Sequence, residues 1–162
     1  PTGTLVLDHL LGGRHLYLIS TGTGIAPFIS IIQDPSIYER FDKIIISHGV
    51  RYIAELAYRN FICEQLPKNE YFGEDVKQKL IYYPTVTREK FKTRGRLTEL
   101  MSSGKLFSDI RLNQAEPFQD RFMICGSPAM LKDTCRILND WSFEKSRQGH
   151  KGHYVFERAF VV

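Results

Sequence analysis

The sequence predicts a doubly wound α/β domain: a mostly parallel five-stranded sheet with helices on both faces. Three observations predict it. Short apolar runs recur along the 162 residues, with stretches of helical spacing between them. The runs are almost continuously apolar, as strands buried on both faces require. Two of them close in a glycine-containing turn that leads straight into a helix.

The runs are His15–Ser20, Lys43–His48, Lys79–Thr87, Arg121–Cys125 and Gly152–Glu157. Pro84 falls inside the third, which places that strand at an edge or at its end. The helix candidates alternate with them. Ile25–Ile32 stops at Asp34-Pro35, a helix breaker. Tyr52–Leu66 sets Ile53, Leu56, Ala57 and Phe61 on one face and ends at Pro67. Leu97–Ser103 ends at Gly104. A fourth helix opens with Ser127 as its cap and Pro128 in its first position. Met130, Thr134, Ile137 and Trp141 then repeat at helical spacing and read as core packing. Ser142–Lys151 is polar and basic and reads as a loop. Residues 1–14 resemble the end of some preceding element.

Composition narrows the function classes. One domain is the expectation at this length. No apolar run approaches the ~20 residues that cross a bilayer, and no secretory signal opens the chain. Cys63, Cys125 and Cys135 are odd in number and lack metal spacing, so free thiols in the cytoplasm are expected, with no metal site. A formal charge of +4 is too modest for a nucleic-acid binder. It suits an anionic ligand or an acidic protein partner, and reads equally well as a solubility charge.

In doubly wound sheets, ligands bind beyond the carboxyl ends of the strands. The first strand ends in Ser20-Thr21-Gly22-Thr23-Gly24-Ile25-Ala26-Pro27. Glycines there let a phosphate approach the backbone, and the next helix offers amide N–H groups to an anion. The second strand ends in Ser47-His48-Gly49-Val50-Arg51. No acidic residue closes it to hold a ribose 2′-OH, whereas an arginine suits a 2′-phosphate. Arg88 follows the third strand, and Arg94 and Arg96 come soon after. As a set these guanidinium groups favour NADP over NAD. The fourth strand ends in Met123-Ile124-Cys125-Gly126-Ser127-Pro128, which puts Cys125 at the mouth of the site. A functional thiol and an inert core thiol both remain open there. No nucleophilic triad, zinc cluster or carboxylate pair stands out, and the histidines read as structural.

These segments together resemble the ferredoxin/flavodoxin–NADP reductase family, bacterial type. The resemblance rests on Ser20–Phe28, His48–Arg51, Val86–Arg88, Gly95–Leu97, Met123–Leu131 and the final Gly152–Val162. It implies a Rossmann-like NADP(H)-binding domain over residues 15–162, with residues 1–14 the residual end of an FAD-binding barrel domain. It implies hydride transfer between NADP(H) and FAD, with ferredoxin or flavodoxin as electron partner. It places Thr21, Gly22, Thr23 and Gly24 at the pyrophosphate and nicotinamide, and Arg51, Arg88 and Arg96 at the 2′-phosphate. Cys125, the one catalytic candidate, and Gly126 would line the nicotinamide pocket. Ala159 and Phe160 would lie against FAD. Two further expectations keep the same fold: a reductase module for an oxygenase, haem or iron–sulfur partner, or a nucleotide-binding fragment without catalysis.

Overall fold

A computed structural model describes residues 5–159. Five parallel strands form one sheet: β1 (His15–Thr21), β2 (Lys43–Val50), β3 (Leu80–Val86), β4 (Asp120–Gly126) and β5 (Tyr154–Arg158). Their order is β3-β2-β1-β4-β5. The chain builds outward from β1 to β2 and β3, then crosses back to lay β4 on the other flank of β1. That crossing makes the β1/β4 boundary the switch point of the sheet, where a crevice opens at the carboxyl edge. All five strands fall where the apolar runs place them. Pro84 lies on the edge strand β3, where it costs the sheet little.

Strand side chains alternate between two cores. Leu16, Leu18, Ile44, Ile46 and Met123 face one core, which is closed by α1 (Ala26–Ile32), α2 (Ser36–Arg40) and α3 (Gly73–Lys79). Tyr17, Ile19, Ile45, Phe122 and Ile124 face the other, under α4 (Leu97–Ser102), α5 (Lys105–Asp109) and α6 (Pro128–Asp140). Helices therefore cover both faces. Tyr17 and Phe122 stack at 4.7 Å on neighbouring strands, and Phe107 meets Tyr17 edge-on at 5.6 Å.

The helices follow the sequence less closely. Ser127 caps α6 by accepting the Met130 N–H, and Pro128 takes the first position, as expected. The buried face of α6 runs through Met130, Leu131, Thr134 and Leu138, with Ile137 and Trp141 packed half-buried beside it. The single helix expected over Tyr52–Leu66 does not form. A 3-10 turn at Ile53–Glu55, a π-helical turn at Phe61–Gln65 and a 3-10 turn at Leu66–Lys68 replace it. The cause is tertiary. Leu56 leaves helical geometry (φ −80°, ψ 62°) and buries against Val50 and Val86 at the strand ends. The Glu55 and Glu89 carboxylates accept the Tyr52 and Ile53 N–H groups and so cap the start of this short turn. Three short helices, α2, α3 and α5, escaped the sequence reading. At α2 the breaker is also a starter: the Asp34 carboxylate accepts the Ser36 N–H just past Pro35.

The segment before β1 packs onto the amino edge of the sheet. Leu10 is 1% exposed and pairs with Gly152. Arg121 donates to the carbonyls of Leu11, Gly12, Pro117 and Asp120. His15 Nδ1–H donates to the buried Asp120 carboxylate at 2.9 Å. This polar strut lies at the end of the sheet opposite the switch point.

Removing the aromatic stack should be costly. Phe122→Ala is expected to lose about 3–5 kcal/mol, read from urea midpoints. Phe118→Ala, at a ring 75% exposed, should stay within about 0.5 kcal/mol of wild type. Equal losses at the two positions would contradict the packing described.

Candidate nucleotide-binding site

The turn after β1 lands on the switch point. Thr21 ends the strand, and Gly22–Ile25 forms one 3-10 turn before α1. Gly22 has φ +53°, with open space where a side chain would stand. Its glycine is required by backbone geometry alone. Gly24 is required for a different reason: a methyl there would overlap the Cys125 carbonyl and the Cys125–Gly126 peptide. The loop thus rests backbone to backbone on the end of β4. The Thr21 side chain packs against Gly126, and the Gly126 carbonyl accepts the Ala159 N–H at 3.0 Å. Thr21, Gly22, Thr23, Gly24, Cys125, Gly126 and Ala159 therefore lie together. Phe160 lies outside the described residues.

Cys125 stands at the end of β4 as expected, but not at an open mouth. It is 2% exposed, covered by the loop and by the core on the α1 face. Burial first, and the Glu157 carboxylate second, push its thiol up to about 11. Its surroundings therefore favour the protonated thiol at neutral pH.

The arginines gather at the other half of the same edge. Main-chain bonds tie the ends of β2 and β3 together: Arg88 N–H donates to the Arg51 carbonyl at 2.9 Å, and Thr87 N–H to the Val50 carbonyl at 3.0 Å. Gly95 N–H then returns to the Val86 carbonyl, and Arg96 precedes the first turn of α4. Arg51, Arg88, Arg94 and Arg96 are all exposed. Among the described residues, no carboxylate pairs with any of them. Tyr52, next in sequence to Arg51, is also exposed. An exposed arginine set without carboxylates is a ready site for a phosphate dianion.

Two residues of this edge escaped the sequence reading. Glu157 faces Cys125 in the β4/β5 register; its only signal was a carboxylate ending an apolar run. His48 read as a structural histidine. In the structure it is 1% exposed, and its Nε2–H donates to the Gly22 carbonyl at 2.7 Å, directly beneath the loop. Only the end of the second apolar run could have marked it. The site is an open edge, not an enclosed pocket. A cavity of about 660 Å³ lies elsewhere, between α6 and β5. Among the described residues, no group of three or more histidine, cysteine or acidic side chains could hold a metal ion. No helix there is long and apolar enough to cross a membrane.

Comparison with known proteins agrees with this geometry. The oxidoreductase NAD-binding domain family matches residues 18–136. A ferredoxin–NADP reductase of Azotobacter vinelandii is 61% identical over 99% of this chain. A flavodoxin/ferredoxin–NADP reductase of Rhodobacter capsulatus is 43% identical over 99% of it. The chain spans 63% and 60% of those two relatives. A crystal structure of a ferredoxin NADP+ reductase from Neisseria gonorrhoeae, with bound FAD and NADP, superposes with a TM-score of 0.86 at 29% identity. It matches 98% of this chain, which covers 61% of that one.

Two tests follow from the loop geometry. Gly24→Ala must push the loop off β4 and should destabilise the fold strongly. Gly22→Ala has room and should cost only about 1–2 kcal/mol of left-handed strain. Urea midpoints of both variants separate these costs, and equal losses of stability would refute the close approach of Gly24 to β4. At pH 8, iodoacetamide should label the exposed Cys63 well before Cys125, as mass spectrometry of the native protein would show. Faster labelling of Cys125 would mean an open, ionised thiol.

The chain belongs to the oxidoreductase NAD-binding domain family.

Proposed function

We propose that this chain binds NADP(H) along its carboxyl edge and presents the nicotinamide for hydride exchange with FAD in a ferredoxin- or flavodoxin-linked reductase. One observation carries the reading. A glycine turn seated on the switch point shares an edge with an exposed arginine set that, among the described residues, has no carboxylate partners. The residues fit the nucleotide. Gly22–Gly24 and the start of α1 would hold the pyrophosphate, and the open space at Gly22 leaves room for it. Arg51, Arg88 and Arg96 would hold the 2′-phosphate through charged hydrogen bonds. The end of β4 would wall the nicotinamide, with Cys125 a neutral, water-excluding surface under it.

When bound, the nicotinamide supplies a hydride at C4 that FAD accepts at N5. This chain's contribution is position, for which no side-chain nucleophile is needed. Ala159, tied to Gly126, and Phe160 after it would border the flavin. Residues 1–14 would be the end of the FAD-binding unit and residues 15–162 the NADP(H) domain. An acidic ferredoxin or flavodoxin is the electron partner of this reading, and the cytoplasm its compartment.

Titrating the full-length protein with NADP+ and NAD+ at two salt concentrations tests the proposal. One charged hydrogen bond is worth about 1.5–3 kcal/mol, so NADP+ should bind roughly 10- to 150-fold more tightly, with the gap narrowing in salt. Arg51→Ala with Arg96→Ala should erase most of the preference. Equal affinities in the wild type, or an unchanged preference in the double variant, would overturn the assignment.

A further inference from the structure

The Gly22 carbonyl is directed at a buried imidazole. Because a carbonyl only accepts, His48 Nε2 carries the proton and donates it at 2.7 Å. Nδ1 is then the bare nitrogen, and it is buried with no partner. An apolar residue would fill this place without leaving a polar atom stranded, since unpaired buried polar groups cost free energy. The bond to the loop is the one interaction that the imidazole offers and such a residue would lack.

We infer that His48 is a positioning residue for nucleotide binding: its Nε2–H holds the Gly22–Thr23 peptide in the orientation that receives the pyrophosphate. The inference rests on the NADP(H) reading above. Gly22 sits at φ +53°, and glycine is the residue with the most alternative conformations to lose. Nothing in its own side chain selects one of them; the 3-10 turn that it opens and the bond from His48 to its carbonyl do. The peptide is trans, so fixing the carbonyl also fixes the direction of the Thr23 N–H on its other side. The strand supplies a rigid base. His48 lies within β2, with Ser20 of β1 and Pro84 of β3 as its register neighbours. Ser20 donates its hydroxyl to the Ser47 carbonyl, away from the ring. Burial lowers the His48 pKa, while the Gly22 carbonyl and Glu55 act the other way. The ring is therefore neutral at physiological pH, with one proton placed by the loop.

The test uses NADP+ and 2′-AMP as probes on full-length wild type, His48→Gln and His48→Met. 2′-AMP engages the arginines but has no pyrophosphate. Gln reaches the same place as Nε2 with a donor, and Met fills the space without one. His48→Met should bind NADP+ about tenfold more weakly, the worth of one hydrogen bond. Its 2′-AMP affinity should stay within about twofold, and Gln should restore NADP+ binding to within about threefold. Unchanged NADP+ affinity in His48→Met overturns the inference, as does equal loss of both probes, which would mean general damage. Should His48→Met fail to fold, imidazole NMR of the wild type decides. Nε2–H with bare Nδ1, shifted by NADP+ while His15 at the far end is not, supports the role. The opposite tautomer, or no shift at saturation, overturns it. If wild type binds 2′-AMP but not NADP+, the pyrophosphate assignment and the inference fall together. If it binds NADP+ and only the His48 variants disagree, the inference alone falls.

Discussion

Everything polar in this domain is confined by the burial of its sheet on both faces. Five parallel strands are sandwiched between two helical layers, and the strand centres are apolar on either side. The three central strands are paired on both sides, so around the middle of the sheet main-chain groups are offered only where strands end. The switch in strand order then sets one carboxyl-edge crevice apart, because β1 and β4 leave it in opposite directions. A row of polar residues follows from register alone. His48, Ser20, Cys125 and Glu157 stand side by side across β2, β1, β4 and β5 on one face. No motif joins them in sequence; parallel pairing does.

The two ends of the sheet use polarity differently. At the amino edge Arg121 and Asp120 are 3% and 1% exposed and are engaged by backbone groups and by His15. Those charges are satisfied internally and tie the incoming segment down. At the carboxyl edge the arginines are exposed and, among the described residues, have no carboxylate partners, while main-chain bonds hold their segments together. A satisfied guanidinium stabilises; an unsatisfied one in water is available for a ligand. The same residue type therefore reads as structure at one end and as recognition at the other.

The strands were legible because a short, continuously apolar run between helical stretches fits little besides a strand buried on both faces. The α6 cap was legible because Ser-Pro is a local signal. The Gly-Thr-Gly turn was legible for the same reason: its requirement lies in its own backbone. The broken helix over Tyr52–Leu66 was not, since its period is helical and only the burial of Leu56 against Val50 and Val86 defeats it. Cys125 was placed correctly along the chain and wrongly in depth. Its burial depends on Gly24 lying across the end of β4, a contact roughly 100 residues apart in sequence. His48 was dismissed for the same cause. Its partner is a carbonyl on another strand's turn, invisible to any local pattern.

Loop geometry here is specified twice, by permission and by constraint. Gly22 and Gly24 permit the conformation, one through its positive φ and the other through absent side-chain volume. Permission alone leaves the loop a population of shapes, each of which must be given up when a ligand binds. The buried bond from His48 narrows that population before any ligand arrives, and the contact with β4 sets its floor. Preorganisation of this kind costs folding stability, here a stranded imidazole nitrogen in a nearly dry place. A domain that only needed to fold would gain by replacing it. That His48 stands there nonetheless is the physical argument that the loop, more than the core beneath it, is what this part of the sheet is built to hold.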